Sequence, residues 1–382
     1  MWNEIRGNAR HKLSSLGGKT LLDKRDQAQT EYDHIRKRLM LEPRGHDDMY
    51  GAIIVPETEL VESGHAHIGV LFTHNGGFST MCGHATIALE RSLVDTHDLS
   101  VFPRRGDLVF DDVEKTVALN IHAPCGLARV TVPATEDGRK SDPSRPVAFL
   151  STPAYAAGID LDIEIPAEIR WPELGERETI KVDISYGGTF YVLVNAEELG
   201  FEKGLESVDL ISVAHAVGKL KPYLSRHRDV VEALQNAEDR RLSFLYSVMV
   251  TDQAVGSRPD GVDGAETGLC LFADNQIDRS PTGSCVTARM ALAHAKGVRP
   301  VDQRWAYNSL VSNFFDNGAF VATIVDKDAT VRKHDGGVQS AVVVRVEGFA
   351  YYTGSCNFIV EGGDLTSEAA FRMKTVAKGK SA

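Results

Sequence analysis

At 382 residues the chain is long enough for one large or two medium domains, each with its own core. Its 42 basic and 53 acidic residues leave a formal net charge of −11, which argues against nucleic acid or an anionic membrane surface as the main partner. No apolar run approaches the roughly 20 residues that span a bilayer, and the polar opening MWNEIRGNARHKLSS lacks the apolar core of a secretory signal.

Five cysteines (Cys82, Cys125, Cys270, Cys285, Cys356) stand far apart, with no CxxC pair. An odd, scattered set predicts neither a zinc site nor a disulfide framework, and fits a reduced, cytoplasmic setting in which one thiol stays reactive.

In chain order, DKRDQAQTEYDHIRKRLM (23–40) reads as a helix, followed by Val- and Ile-rich strands at 51–56 and 68–73. A helix is expected after Cys82 and a strand at 126–132. The stretches 138–146 and 166–178 read as loops. Strands follow at 189–194 and 245–251, flanking a helix at 207–220. A further helix follows Thr282 and stops at Gly297, and strands at 320–325 and 340–346 complete the series.

The chain also repeats itself at an offset of 200 residues. VLFTHNGGFSTMCGHATIA (70–88) aligns without gaps on CLFADNQIDRSPTGSCVTA (270–288), and Leu71, Phe72, Asn75, Gly83 and Ala88 match Leu271, Phe272, Asn275, Gly283 and Ala288. Each copy reads as strand, polar loop, then glycine opening an apolar helix. Both place a nucleophilic side chain, Cys82 or Thr282, just before that glycine. A weaker echo links MYGAIIV (49–55) to SYGGTFYVLV (185–194). Two α/β halves related by pseudo-symmetry are expected, with the two helix starts bearing on one cleft.

Such a helix start has a chemical use. Its unpaired N–H groups and partial positive charge hold a carboxylate without any basic side chain, and glycine lets the ligand come close. The same field favours thiolate over thiol, drawing a cysteine from its usual pKa of about 8.5 towards neutrality. Cys82 thus has a physical route to acting as a base. Packing is the plainer role of a buried cysteine.

MCGHATIA (81–88) and DRSPTGS (278–284) resemble the two signature motifs of the proline racemase family, whose second motif usually reads DRSPCGT. EPRGHDDMYGA (42–52), GVLFTHNGGFSTMCGH (69–84) and ISYGGTFYVLV (184–194) extend the resemblance, which runs less sharply from about Gly17 to Asp364. It implies an α+β fold of two pseudo-symmetric halves, each a curled mixed sheet around a central helix, as in diaminopimelate epimerase. The active site would lie in the cleft between them. The halves are expected at 1–178, completed by about 345–370, and at 179–344. By the same resemblance Cys82 is the first catalytic cysteine, and Gly83 and His84 bind substrate. Asp278, Gly283 and Ser284 are the substrate-binding residues of the second motif. Asp278 is expected at the substrate's amino group.

The second catalytic cysteine of the family falls on Thr282. Racemisation needs an acid and a base on opposite faces of Cα, both changing protonation near neutrality. A thiol can do this. A threonine hydroxyl cannot unless a neighbouring base activates it, and the sequence shows none beside Thr282. One base suffices for β-elimination, however. In trans-3-hydroxy-L-proline the Cα hydrogen and the 3-hydroxyl share a ring face, so Cys82 could take the proton and return it to the departing oxygen. The enamine would tautomerise to Δ1-pyrroline-2-carboxylate. The Cys/Thr pairing resembles the branch of the family that carries out this dehydration, which makes a hydro-lyase acting on a small hydroxyproline the leading expectation.

Two other readings stay open: a proline racemase or hydroxyproline epimerase using Cys285 or water as second base, and an impaired homologue that only binds amino acids. The second draws on the N-terminus, where MWNEIRGNARHKLSSL stands in place of the family's His-Thr-Gly-Gly-Glu-like first strand. Cys285 reads chiefly as packing, His65 and His67 as packing or surface histidines rather than metal ligands, and Arg44, His46, Asp47 and Asp48 as a loop-holding cluster. Phosphate-loop motifs are absent and no cofactor is called for. The oligomeric state is open, with a homodimer the candidate.

Overall fold

The computed structural model describes residues 16–333, 336–359 and 361–373; residues 1–15, where the sequence departs from the family's opening, lie outside them. The chain divides into two compact units, Met1–Val147 with Phe349–Ala382, and Ala148–Gly348. The sequence reading divides the chain after residue 178 instead. That point falls inside an antiparallel pair of strands, Tyr155–Glu164 with Thr179–Tyr186, whose hydrogen bonds keep residues 155–186 together.

In the first unit, α1 (Leu21–Glu31) and α2 (Asp33–Met40) replace the single helix predicted over 23–40. Thr20 and Asp23 cap α1 reciprocally, and the backbone leaves the helical region at Tyr32. The strands are β1 (Tyr50–Val55), β2 (Ile68–His74), β3 (Gly77–Ser79), β4 (Val109–Asp111), β5 (Thr116–Ala123) and β6 (Gly126–Pro133). Their order is β1-β2-β5-β6, with β3 on β2 and β4 on β5. Helix α3 (Gly83–Asp95) packs against β1 and β6, the two ends of that order, so the sheet curls around it. Every residue of β2 is buried, which explains its unbroken apolar run.

The second unit contains β7 (Val147–Leu150), β8 (Tyr155–Glu164), β9 (Thr179–Tyr186), β10 (Phe190–Asn195), β11 (Leu245–Asp252), β12 (Gly264–Phe272) and β13 (Gln276–Ile277). These are followed by β14 (Trp305–Asn308), β15 (Phe320–Asp326), β16 (Thr330–Arg332), β17 (Val338–Ser340) and β18 (Val343–Gly348). Its sheet runs β7-β18-β15-β14-β12-β11-β10-β9-β8. Helix α4 (Leu210–Leu224) lies on β11, while α5 (Gly283–Ala295) packs against β8, β9, β10, β15 and β18. Strands from both arms of the order touch α5, so this sheet also curls around a central helix. Parallel pairs (β2–β5, β10–β11, β12–β14) occur among antiparallel ones, so the sheets are mixed. This is the α+β class that the sequence predicts.

The internal repeat is structural. α3 and α5 each have 13 residues and start 200 positions apart, and each follows a hairpin, β2–β3 or β12–β13. Asn75 Nδ2 ties its turn to the carbonyls of Met40 and His46, and Asn275 Nδ2 ties its turn to that of Ala214 on α4. The weaker echo does not survive. The strand beside β12 is β11, just as β1 lies beside β2, so β11 rather than the 185–194 segment is the counterpart of β1.

Candidate active site

Cys82 occupies the cap position of α3 in extended backbone (φ −150°) and is 4% exposed. Its side chain makes no capping bond to the helix. The sulfur lies 3.4 Å from His84 Nε2 and 3.6 Å from Nδ1. His84 is half-buried, and its ring meets Tyr50 edge-on at 5.0 Å between centroids. The first intrahelical bond runs from Thr86 N to Cys82 O, so the N–H groups of residues 83–85 lie ahead of the helical ladder. Thr86 Oγ1 donates to the same carbonyl at 2.9 Å and tightens the turn.

Thr282 caps α5 in a different way. Its φ of +61° lies in the left-handed region, unusual for a β-branched residue, and again no side-chain cap forms. Instead its hydroxyl donates to Asp278 Oδ2 at 2.8 Å, while Asp278 Oδ1 accepts the Ser280 N–H at 2.8 Å. The expectation that no base stands beside Thr282 is therefore corrected, because the turn 278–282 folds a carboxylate onto the hydroxyl. Four residues separate the pair in sequence, and only the left-handed turn brings them together.

Sequence reasoning missed Cys270. Its thiol sits within hydrogen-bonding reach of Thr282 and 3.0 Å from Ser247 Oγ; burial pushes it up to about 12, so it is a neutral S–H donor at pH 7. The first copy of the repeat has Val70 at this place, so the alignment carries no signal for a thiol there. Cys285 is fully buried, and burial holds its thiol well above the ordinary range, against service as a base.

Ser284 Oγ is paired with the Tyr191 hydroxyl at 2.7 Å. Gly283 opens the helix. Gly187, in the Tyr-Gly-Gly segment, lies so close that a Cβ there would collide with the Ser284 carbonyl, which accounts for glycine at that turn. The Arg44–Asp48 cluster is a tether: Arg44 bonds the Ile359 carbonyl, Arg372 pairs with Asp47 at 3.1 Å, and Asp48 has a φ of +66°. His67 Nδ1 accepts the Asn120 N–H and His65 Nδ1 meets Ser63 Oγ, each at 2.9 Å. Among the described residues no group of three His, Cys, Asp or Glu side chains could hold a metal ion, and no helix is long and apolar enough to cross a membrane.

The family model for proline racemase matches residues 12–367. The chain belongs to the proline racemase family. Within that family it is 39% identical over 355 residues to the trans-3-hydroxy-L-proline dehydratase of Homo sapiens, covering 91% of this chain and 86% of that one. It is 30% identical over 352 residues to the enzyme of the same name from Bacillus thuringiensis subsp. konkukian, covering 92% and 90%. Among solved structures, a probable proline racemase from Agrobacterium radiobacter K84 has the same fold at a TM-score of 0.69 and 20% identity, over 92% of this chain and 89% of that one. A hydroxyproline epimerase from Agrobacterium vitis follows at 0.65 and 19%, over 89% and 84%.

Proposed function

We propose that this chain dehydrates trans-3-hydroxy-L-proline to Δ1-pyrroline-2-carboxylate, with Cys82 as the base. The observation that carries the reading is the unlike chemistry of the two helix starts. At one, a thiol lies against an imidazole. At the other, a hydroxyl has its single proton committed to a carboxylate. The first is a base that works near neutrality; the second stays protonated and accepts hydrogen bonds.

In the proposed reaction the Cys82 thiolate takes the Cα proton, and the C–H electrons form the Cα=C3 bond. The C3–O bond then breaks, releasing water once the oxygen is protonated. The enamine tautomerises to the cyclic imine. The N–H groups at Gly83 and Gly283 suit the substrate carboxylate. His84 also contacts the substrate. Ser284 takes part through its backbone N–H, next to that of Gly283 at the helix start. The Asp278 carboxylate suits the ring ammonium by charge. A two-base racemase reading is weakened by the burial of Cys285. A reducing, cytoplasmic setting suits an enzyme whose base is a thiol.

The test is incubation of purified protein and its Cys82→Ser variant with trans-3-hydroxy-L-proline, L-proline and trans-4-hydroxy-L-proline, with imine and D-isomers both measured. Imine from the 3-hydroxy compound, lost in the variant and without D-isomers, is expected. Epimers without imine would overturn the reading.

A further inference from the structure

We propose that His84 is the acid that protonates the departing 3-hydroxyl, with Cys82 and His84 working as a thiolate–imidazolium pair. The proposal rests on the dehydration reading and assigns the proton that reading left to the thiol. Elimination within one ring face needs two proton movements on the same side of the substrate. The residue at the Cys82 sulfur that can supply the second is His84, at 3.4 Å through Nε2 and 3.6 Å through Nδ1. Tyr50 packs edge-on against the ring and fixes its tilt, and the imidazole stays partly exposed beside a sulfur that is nearly closed off. Thr282 is unsuited to the task, because its hydroxyl proton is held by Asp278.

The thiolate forms S–H as Cα–H breaks; C3–O breaks as the oxygen takes the imidazolium proton, and water leaves. Cys82 is now a thiol and His84 a neutral imidazole. The proton crosses the short S···N contact, and the pair is restored with no net gain or loss. An imidazolium beside the sulfur favours the thiolate and carries a proton that it can release to a poor leaving group.

The experiment compares trans-3-hydroxy-L-proline with trans-3-chloro-L-proline, whose chloride departs without a proton. For His84→Gln, kcat on both substrates is expected to fall by what the weakened thiolate costs, and kcat on the hydroxy substrate to fall about 100-fold further than on the chloro substrate, which needs no acid. The unmodified protein should lose rate at alkaline pH with the hydroxy substrate and not with the chloro substrate, a comparison that needs no variant. Equal losses of His84→Gln on both substrates, or matching pH profiles, would overturn the proposal and return His84 to binding alone. Cys82→Ser separates the two claims: turnover of either substrate by it refutes the underlying base, whatever His84 does.

Discussion

The Thr282 hydroxyl and Asp278 Oδ2 are joined at 2.8 Å, so the second helix start offers a ligand lone pairs rather than a proton. Thr282→Ser keeps the bond and sheds the β-branch at a φ of +61°, so it should retain most of the activity and gain some stability. Thr282→Val breaks the bond and should lower kcat/KM about tenfold or more, equivalent to about 1.4 kcal/mol. Steady-state imine formation measures both. Thr282→Cys restores a thiol where the family pattern has one, and D-proline should then appear from L-proline. If chiral analysis finds none, the hydroxyl is not what holds racemisation off.

Much of this architecture is legible in the residues. Gly83 and Gly283 mark both helix starts, and the 200-residue offset returns in the structure to the residue. The grip of Asp278 on Thr282 is not legible, because it depends on a left-handed turn that β-branched residues rarely adopt. Strand β8 is hidden for a local reason: YAAGIDLDIE carries Gly158, a φ of +53° at Asp160 and two register shifts, so no clean alternation survives. The counterpart of β1 is misread because strand neighbours depend on pairing across space, whereas the echo compares residue types alone.

A buried ion triad fastens α5 to its sheet. Glu266 pairs with Arg289 of α5 at 2.7 Å and with Arg299 at 3.4 Å, and the guanidinium groups lie over Tyr307 and Trp305. Glu266→Gln removes the anion and leaves two buried cations facing each other, a loss of about 3–5 kcal/mol. Urea unfolding should show a lower midpoint at unchanged slope. A midpoint within error of the parent would mean that the triad is not needed to hold the helix.

Glu90 is the opposite case, a fully buried carboxyl on α3 whose two oxygens find no hydrogen-bond partner among the described residues. Burial raises it well above its ordinary value of 4.5. The folded chain then holds a proton that the unfolded chain has released, so stability falls as pH climbs through that window, by up to about 1.4 kcal/mol per unit. Glu90→Gln should flatten this slope and be relatively more stable at pH 8 than at pH 5. Denaturant unfolding at several pH values decides, and parallel curves for the two proteins would contradict the buried-acid account.

Lys221 titrates in the other direction. On α4, burial lowers it to about 8, opposed in part by Asp274, while its Nζ donates to the Ala273 carbonyl at 3.0 Å. Between that value and the ordinary 10.5 the unfolded chain binds the extra proton, so stability rises with pH across the interval. Below it the charged amine burdens the fold by up to about 3 kcal/mol, less whatever water screens at its partly exposed end. Lys221→Met should therefore stabilise the protein at pH 7, with the advantage shrinking towards pH 10. The same change removes the bond on the β12–β13 turn, which leads into Asp278, so amide exchange at 273–278 should quicken while that of β11 does not. Faster exchange without the pH-dependent gain would show that the amine serves the turn alone and is never charged at a cost.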